Sequence, residues 1–313
     1  MKHLLKSLLI ALLFSQTLMA QTIKKAEKAQ AGYYRMKFGD YQIIALSDGT
    51  LPLPAEDILL NISKEQISKL MAKNYVRKNE ASVNAYLIDT GSKLILVDAG
   101  TSELYGPSLG FLPNSIRAAG YQPEDIDAVL ITHIHTDHTG GLMDGNKMVF
   151  PNAKIYISKP EVDFWLGKGQ KEKAAKRLAP YFDEAQLKVG PYLKAGKVVT
   201  FNYDKDLFPG IKPIATPGHT PGHSFFLLEN KGEKMMFWGD IMHVAEVQFP
   251  NPEVAITFDI DPVAAVAQRK KAFAEAAEQG YWIASDHISF PGIGHIWSAG
   301  SGYVLIPIPY QYQ

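Results

Sequence analysis

The segment Thr132-His133-Ile134-His135-Thr136-Asp137-His138-Thr139-Gly140-Gly141 gathers three of the chain's nine histidines, with one aspartate, into a single short stretch. It follows an apolar run, Ala128 to Ile131, that reads as a buried strand, and the two glycines behind it read as a tight turn. In an extended segment side chains alternate with period two, so His133 and His135 project to one side and a single cation can take both imidazoles. Asp137 and His138 sit one turn on, within reach of a second cation. The bland alternative is a surface loop that happens to be rich in histidine. The concentration of so many of the chain's histidines here, and the distant partners below, argue against it.

Three further segments offer ligands in matching positions. Thr216-Pro217-Gly218-His219-Thr220-Pro221-Gly222-His223 puts a histidine in a Gly/Pro-rich turn between strands. Asp240 follows the apolar strand Met235 to Trp238, and His287 follows Tyr281 to Ala284 after Ser285-Asp286. A rigid sheet presents ligands along one edge in this way, where strands emerge into loops. The chain has no cysteine, so ligation falls to imidazole and carboxylate. That set suits Zn²⁺, and its ligand types also admit Mn²⁺, Co²⁺ or Fe²⁺.

The elements that must hold these residues read as a layered α/β protein, one domain over 32–313. Tyr33 to Phe38 and Tyr41 to Leu46 flank Gly39-Asp40 as a hairpin. Ser63-Lys64-Glu65-Gln66 is a capping box opening a helix with Ile67, Leu70, Met71 and Tyr75 on its apolar side. Val83 to Ile88 and Leu94 to Val97 read as strands, Pro113 to Ala119 as a helix, and Ser158-Lys159-Pro160-Glu161 as the cap of another. Gly167 to Ala195 reads as a helical, charged insertion over one face. Strands return at Val198 to Phe201, Phe225 to Leu228, Met235 to Trp238 and Tyr281 to Ala284. The helix opened by Asp261-Pro262 should bury Val263, Val266, Phe273 and Ala277 and end at Gly280.

At 313 residues, 46% hydrophobic and 20% charged, the composition is that of a soluble globular protein. Net charge is zero and no basic stripe stands out, which excludes the electrostatic footprint of a nucleic-acid binder. That exclusion matters because nucleases share this kind of metal motif. Residues 1–20 read as a targeting segment: Lys2 and Lys6 precede an apolar stretch, Leu8 to Phe14, too short to span a bilayer, with a cleavage site after Ala20. The expectation is export, periplasmic or secreted, with a polar, flexible arm over 21–31 and no membrane contact after cleavage. The competing reading is an uncleaved anchor.

With these residues in place the chain resembles the metallo-β-lactamase superfamily along nearly all of its mature length. The resemblance implies an αββα sandwich with metals at the sheet edges. It implies that His133, His135 and His219 hold one metal, that Asp137, His138 and His287 hold the other, and that Asp240 bridges them. Gly32-Tyr33-Tyr34-Arg35-Met36, Ala45-Leu46-Ser47-Asp48-Gly49-Thr50 and Phe290-Pro291-Gly292-Ile293-Gly294-His295 are similar to the exported methyl parathion hydrolase subgroup, which includes organophosphate hydrolases and lactonases. True β-lactamases fit less well, since they generally lack the bridging aspartate. Glyoxalase II shares the ligands, but no basic glutathione site is visible.

The resemblance implies two divalent ions, most readily Zn²⁺, sharing a hydroxide that attacks a carbonyl or phosphoryl centre, with Asp137 orienting it or accepting its proton. His243 lies three residues after Asp240, where homoserine-lactone hydrolases of the superfamily carry a tyrosine that donates to the substrate carbonyl; a histidine can do the same. Tyr105 and Trp165 match aromatic pocket positions of the subgroup, and Ile256 and Phe258 are expected in the pocket wall. His223 and His295 are expected to be structural, with His295 supporting the Pro291-to-Gly294 loop. Asp286 and Asp48 are candidates to hold ligating imidazoles in their tautomer. The expected activity is opening of lactones, N-acyl homoserine lactones foremost and aryl lactones next. The alternatives are an organophosphate triester hydrolase and a non-catalytic, metal-binding secreted protein. A homodimer is expected, with Leu59, Leu60 and Ile62 as apolar interface candidates.

Overall fold

Alternating apolar side chains build two sheets that bury both of their faces. Residues 30–76 and 80–311 are described here by a computed structural model. The expected targeting segment, 1–20, and the expected arm up to residue 29 lie outside the described residues. Strands β1 (Tyr33–Phe38) and β2 (Tyr41–Pro52) form the hairpin around Gly39-Asp40, paired from Tyr33↔Leu46 to Phe38↔Tyr41. They are followed by β3 (Glu80–Asp89), β4 (Leu94–Val97), β5 (Ala128–Leu130), β6 (Lys154–Ser158) and β7 (Val198–Phe201) in a seven-stranded sheet of that order. From β4 to β7 the pairs are parallel. Parallel strands of this kind are buried on both sides, which is why they read as continuous apolar runs.

The second sheet holds six strands in chain order: β8 (Ile211–Ala215), β9 (Ser224–Asn230), β10 (Glu233–Phe237), β11 (Trp282–Ala284), β12 (Ile293–Ala299) and β13 (Gly302–Pro307). Period-two alternation sorts each strand between two cores. Ile43, Ala45, Ile95 and Val97 join Phe226, Leu228, Met235 and Phe237 in one cluster between the sheets. Their neighbours Ile44, Leu46 and Leu96 face the other way, toward Leu112 and Ile116 of α2 (Leu112–Ala118), Trp165 of α3 (Lys159–Trp165) and Phe182 of α4 (Ala179–Lys188). On the far side of the second sheet, Met236, Trp238 and Ile283 pack on Ala272, Phe273 and Ala276 of α5 (Pro262–Gln279). The layers therefore run helix, sheet, sheet, helix, the αββα sandwich that the resemblance implied.

Three local expectations are corrected. The helix after Ser63, α1 (Lys64–Lys73), carries the capping box, but Tyr75 lies beyond its end at positive φ and is exposed rather than packed. Along α5 the buried stripe is Ala265, Arg269, Ala272, Phe273 and Ala276, and Val263 is 82% exposed. Arg269 occupies the middle of that stripe because its guanidinium donates to the carbonyls of Ile241, Pro252 and Val254. A charged residue at the centre of the buried face disguised the helix's true phase. Leu59, finally, is buried, because it pairs with Ile256 in a short two-stranded ladder, and so offers no surface to a partner.

These positions predict different costs of truncation. Phe273→Ala should lower stability by about 3–5 kcal/mol, whereas Val263→Ala should stay within about 0.5 kcal/mol of the parent. Urea-unfolding midpoints of the two variants check this, and a comparable loss for Val263→Ala would contradict the observed helix phase.

Candidate metal centre

The candidate ligands arrive from strand ends of both sheets. His133 to His138 follow β5, His219 lies between β8 and β9, Asp240 follows β10 and His287 follows β11. The glycines behind the histidine motif have a different reason from the turn expected. A Cβ on Gly141 would sit 1.8 Å from the Ala99 carbonyl oxygen, and one on Gly140 would sit 2.3 Å from that of Thr101. Neither has positive φ; the chain needs glycine here so that the segment after β4 can approach.

The structure brings all seven candidates together in two buried groups, His133, His135, His219 and Asp240 in one, Asp137, His138, His287 and Asp240 in the other. In the first group His135 Nδ1 lies 3.1 Å from His133 Nε2 and 3.0 Å from His219 Nε2. Asp240 faces both groups with different oxygens. Its Oδ2 is 3.3 Å from His219 Nε2 and 3.6 Å from His133 Nε2. Its Oδ1 is 3.1 Å from both His138 Nε2 and His287 Nε2. Asp137 Oδ2 completes the second group, 3.3 Å from His287 Nε2.

Most of the imidazoles are anchored by their outer nitrogen, which leaves the inner one free. His138 Nδ1 meets Asp98 Oδ2 at 2.9 Å and Asp286 Oδ2 at 3.0 Å. His219 Nδ1 meets Asp259 Oδ1 at 2.9 Å, His287 Nδ1 meets the Ser82 carbonyl at 2.9 Å, and His133 Nδ1 meets Thr132 Oγ1 at 3.1 Å. Partners of this kind fix the tautomer and ring angle of a metal-binding histidine. His135 is steadied instead by the rings of Trp165 and Tyr181, at 5.5 and 5.2 Å between centroids.

The residues fit two divalent cations. The donors are imidazole and carboxylate, and those of each group lie within 4.8 Å of one another. Yet His138 Nε2, His287 Nε2 and Asp240 Oδ1 are buried without a hydrogen-bond partner despite their proximity. Such a convergence of orphaned polar atoms costs free energy unless something joins them. The charges divide the imidazoles: burial alone would lower His138, His219 and His287, but Asp240 and the neighbouring carboxylates outweigh it and raise all three, His219 to about 9. Burial pushes the His133 and His135 imidazoles well below their ordinary range. Burial alone would raise the Asp240 carboxyl, but His138, His287 and His243 outweigh it and hold it ionised.

Other expected residues take varied places. His223 is structural: its Nδ1 lies 2.8 Å from Thr216 Oγ1 and its Nε2 accepts the Asp240 amide at 3.1 Å. Burial, with His219 beside it, brings its pKa down to about 3, so it stays neutral and keeps that acceptor. Asp286 does lie against a candidate ligand, His138. Asp48 does not; it accepts from Thr101, Gly110 and Leu112 and so holds the loop that carries Tyr105. His295 lies within β12 and reaches the Tyr281 carbonyl at 3.2 Å, so it is not a support of the Pro291-to-Gly294 loop.

Above the two groups opens a cavity of about 460 Å³. His135, Asp137, Asp240, His243 and His287 line it on the metal side, and Leu51, Leu53, Ile58 and Phe258 give it an apolar wall, with Tyr105, Tyr181 and Arg177 completing it. Tyr105, His243 and Phe258 are thus where the sequence expected them. Trp165 and Ile256 are not among the lining residues. Trp165 is buried behind His135 with its indole N–H donated to Glu161 at 2.7 Å, and Ile256 is turned inward by its pairing with Leu59. His243 faces the cavity, but its Nε2 is 3.0 Å from Asp240 Oδ2, a contact that the i, i+3 spacing makes and that was not anticipated.

Sequence reasoning missed Asp98, Asp259, Arg177, Tyr181 and the wall from Leu51 to Ile58. Asp98 could have been found, since it follows the apolar strand β4 as Asp240 follows β10. The others carry no local signal: Tyr181 is on α4, Arg177 in the turn before it, Leu51 at the end of β2 and Ile58 in a short helix, and only the tertiary fold turns them to the site.

Comparison with known proteins places this arrangement. A family model described as the metallo-beta-lactamase superfamily matches residues 79–277. An N-acyl homoserine lactonase from a Bacillus species is 30% identical over 165 residues, 47% of this chain and 58% of the relative. The chain thus spans little more than half the length of that relative. Among solved structures, the hydrolase AbOPH of the beta lactamase superfamily is 39% identical, with a TM-score of 0.87 over 91% of this chain and 100% of its own. AidC, a dizinc quorum-quenching lactonase solved in complex with a product, is 27% identical with a TM-score of 0.79, covering 90% of this chain and 99% of its own.

The position of Asp240 between the groups yields a direct expectation. Elemental analysis should find two transition-metal ions per chain, and Asp240→Ala should hold fewer. A variant that keeps both ions would show that this carboxylate is not shared.

Proposed function

Because the chain belongs to the metallo-beta-lactamase superfamily, we propose that it is a dinuclear metal-dependent hydrolase that opens lactones, N-acyl homoserine lactones foremost and aryl lactones next. The observation that carries this reading is one carboxylate, Asp240, set between two histidine groups at the floor of an apolar cavity. Relatives that are N-acyl homoserine lactonases, and the dizinc lactonase among the similar structures, support the same substrate class and favour zinc. Quorum quenching is the role that would follow.

Two divalent ions bound by these residues would supply a water of lowered pKa and a Lewis acid for the electrophilic oxygen. The rest falls to the chain. Asp137 lines the cavity and holds its carboxylate toward His287, so it is the group placed to orient a water or take its proton. Burial alone would raise its pKa, but His138 and His287 bring it below the usual carboxylate range and keep it ionised. His243 lines the cavity with its Nε2 against Asp240 Oδ2, and with ions held by that carboxylate it would be free to donate to a carbonyl oxygen that gains charge as the ring opens. Leu51, Leu53, Ile58 and Phe258 keep water out and offer a surface for an acyl chain. Arg177, tethered to the carbonyls of Thr257 and Asp259, gives the wall a fork of N–H donors suited to an amide carbonyl.

A phosphotriester is the second reading, favoured by the apolar wall, which suits a neutral body of that kind. The two are separated by measuring kcat/KM for a homoserine lactone, an aryl lactone and a phosphotriester side by side, in the parent and in His243→Leu. A tetrahedral oxyanion loses about 10²–10³ in rate when one donor is removed. The ratio of lactone to phosphotriester kcat/KM should therefore fall at least about 10-fold, roughly 1.4 kcal/mol of differential transition-state binding, with both metals retained. If both activities fall together with metal loss, His243 acts only as a support of Asp240. Turnover that survives complete chelation would contradict the metal-dependent reading altogether.

Export and a homodimeric state belong to the same proposal. The basic Lys2 and Lys6 before a short apolar stretch support export, and among the described residues no helix is long and apolar enough to cross a membrane. N-terminal sequencing of the secreted protein should begin at or near Gln21. Recovery of intact Met1 in a membrane fraction would show an anchor instead.

A further inference from the structure

Glu161 lies in the first turn of α3, is fully buried, and belongs to neither group of candidate ligands. Its carboxylate takes four hydrogen bonds. Oε1 accepts from the Ile134 amide at 2.8 Å and from Trp165 Nε1 at 2.7 Å. Oε2 accepts from Thr220 Oγ1 at 2.9 Å and from the Gly222 amide at 2.8 Å. Ile134 stands between His133 and His135, and Thr220 follows His219. One carboxylate therefore clasps the two loops that carry the three imidazoles of the first group, drawn from segments whose His135 and His219 are 84 residues apart in the chain.

The approach is close as well as polar. A Cβ on Gly222 would fall 2.3 Å from the Glu161 amide nitrogen and 2.7 Å from the Glu161 Cβ. Ser158, the N-cap of α3, donates to the Gly222 carbonyl at 2.7 Å, so the helix start and the His219 loop are docked together. Of the second group, Asp137 and His138 follow on the Ile134 segment, but their group has supports of its own, Asp98 and Asp286 at His138 and the Ser82 carbonyl at His287.

We infer that Glu161 is a positioning residue for one metal only: by joining the Ile134 and Thr220 segments it sets the affinity of the His133/His135/His219 site and leaves the other site to its own supports. The inference rests on the two-metal reading proposed above. All four partners are donors, and a carboxylate has acceptor sites for all of them. A glutamine in its place keeps the shape but turns an NH₂ group toward two of the four donors, which should release one of the two loops.

The test titrates metal-free protein with Co²⁺, following the visible d–d bands and competition with a chromophoric chelator, while thermal unfolding is recorded alongside. Phe182→Leu is the control, since Phe182 packs on Trp165 at 4.8 Å without touching the loops' hydrogen bonds. The parent should take up two Co²⁺. Glu161→Gln should bind one of them about 10–100-fold more weakly, with altered d–d bands, and the other within about twofold of the parent. Phe182→Leu should lower Tm yet leave both affinities in place. Glu161→Gln with both affinities unchanged, or with both weakened in step with Tm, would overturn the inference. If Glu161→Gln does not fold, Thr220→Val removes one of the donors that tie the His219 loop to Glu161 and should weaken the same single site; unchanged binding would overturn it equally. A parent that takes up fewer than two Co²⁺ would contradict the two-metal reading itself, and the inference with it.

Discussion

A single buried carboxylate governs the site. Asp240 is almost wholly removed from water, and each of its oxygens faces a different set of imidazoles. An ionised carboxylate taken out of water costs several kcal/mol unless it is paired and hydrogen-bonded. Here the compensation comes from five histidines delivered by both sheets, His133, His138, His219, His243 and His287, and cations shared between them would complete it. The backbone is arranged to make that possible. The Asp240 amide is held by His223, whose own orientation is set by Thr216. Asp98, which steadies His138, sits at positive φ, a strained setting for a residue with a side chain and one that clusters at functional sites.

The two sheets and the positions of the candidate ligands were legible in the sequence for one physical reason. An apolar run long enough for a buried strand, followed within two residues by Asp or His, is a local signal, and it recurs at Ala128, Met235 and Tyr281. The outer supports were harder to see. Asp259 reaches His219 from a turn closed by its own bonds to Ile256, with Arg269, on a helix that reads as amphipathic in the wrong phase, 3.9 Å from its other oxygen. Nothing near Asp259 in the sequence announces that role.

The cavity was the least legible part. Its apolar wall runs from Leu51, at the end of β2, to Ile58 in the short helix Ala55–Ile58, and Tyr105 is placed by Asp48, 57 positions away by their numbers. Trp165 is expected in the wall because it matches an aromatic pocket position of the subgroup that the chain resembles. Its indole N–H is instead committed to Glu161, and a buried donor with a partner in the core cannot also face the substrate. Loops placed by long-range hydrogen bonds leave no periodic trace, so they carry specificity that a sequence pattern does not reveal.

The central claim is that Asp240 is shared by two ions, each with its own set of histidines. Anomalous scattering from crystals of the metal-loaded protein, recorded at the absorption edge of the bound metal, tests it most directly. The account predicts two peaks per chain, one among His133, His135 and His219, the other among Asp137, His138 and His287, with Asp240 in contact with both. A single peak, or two peaks of which only one touches Asp240, would contradict it.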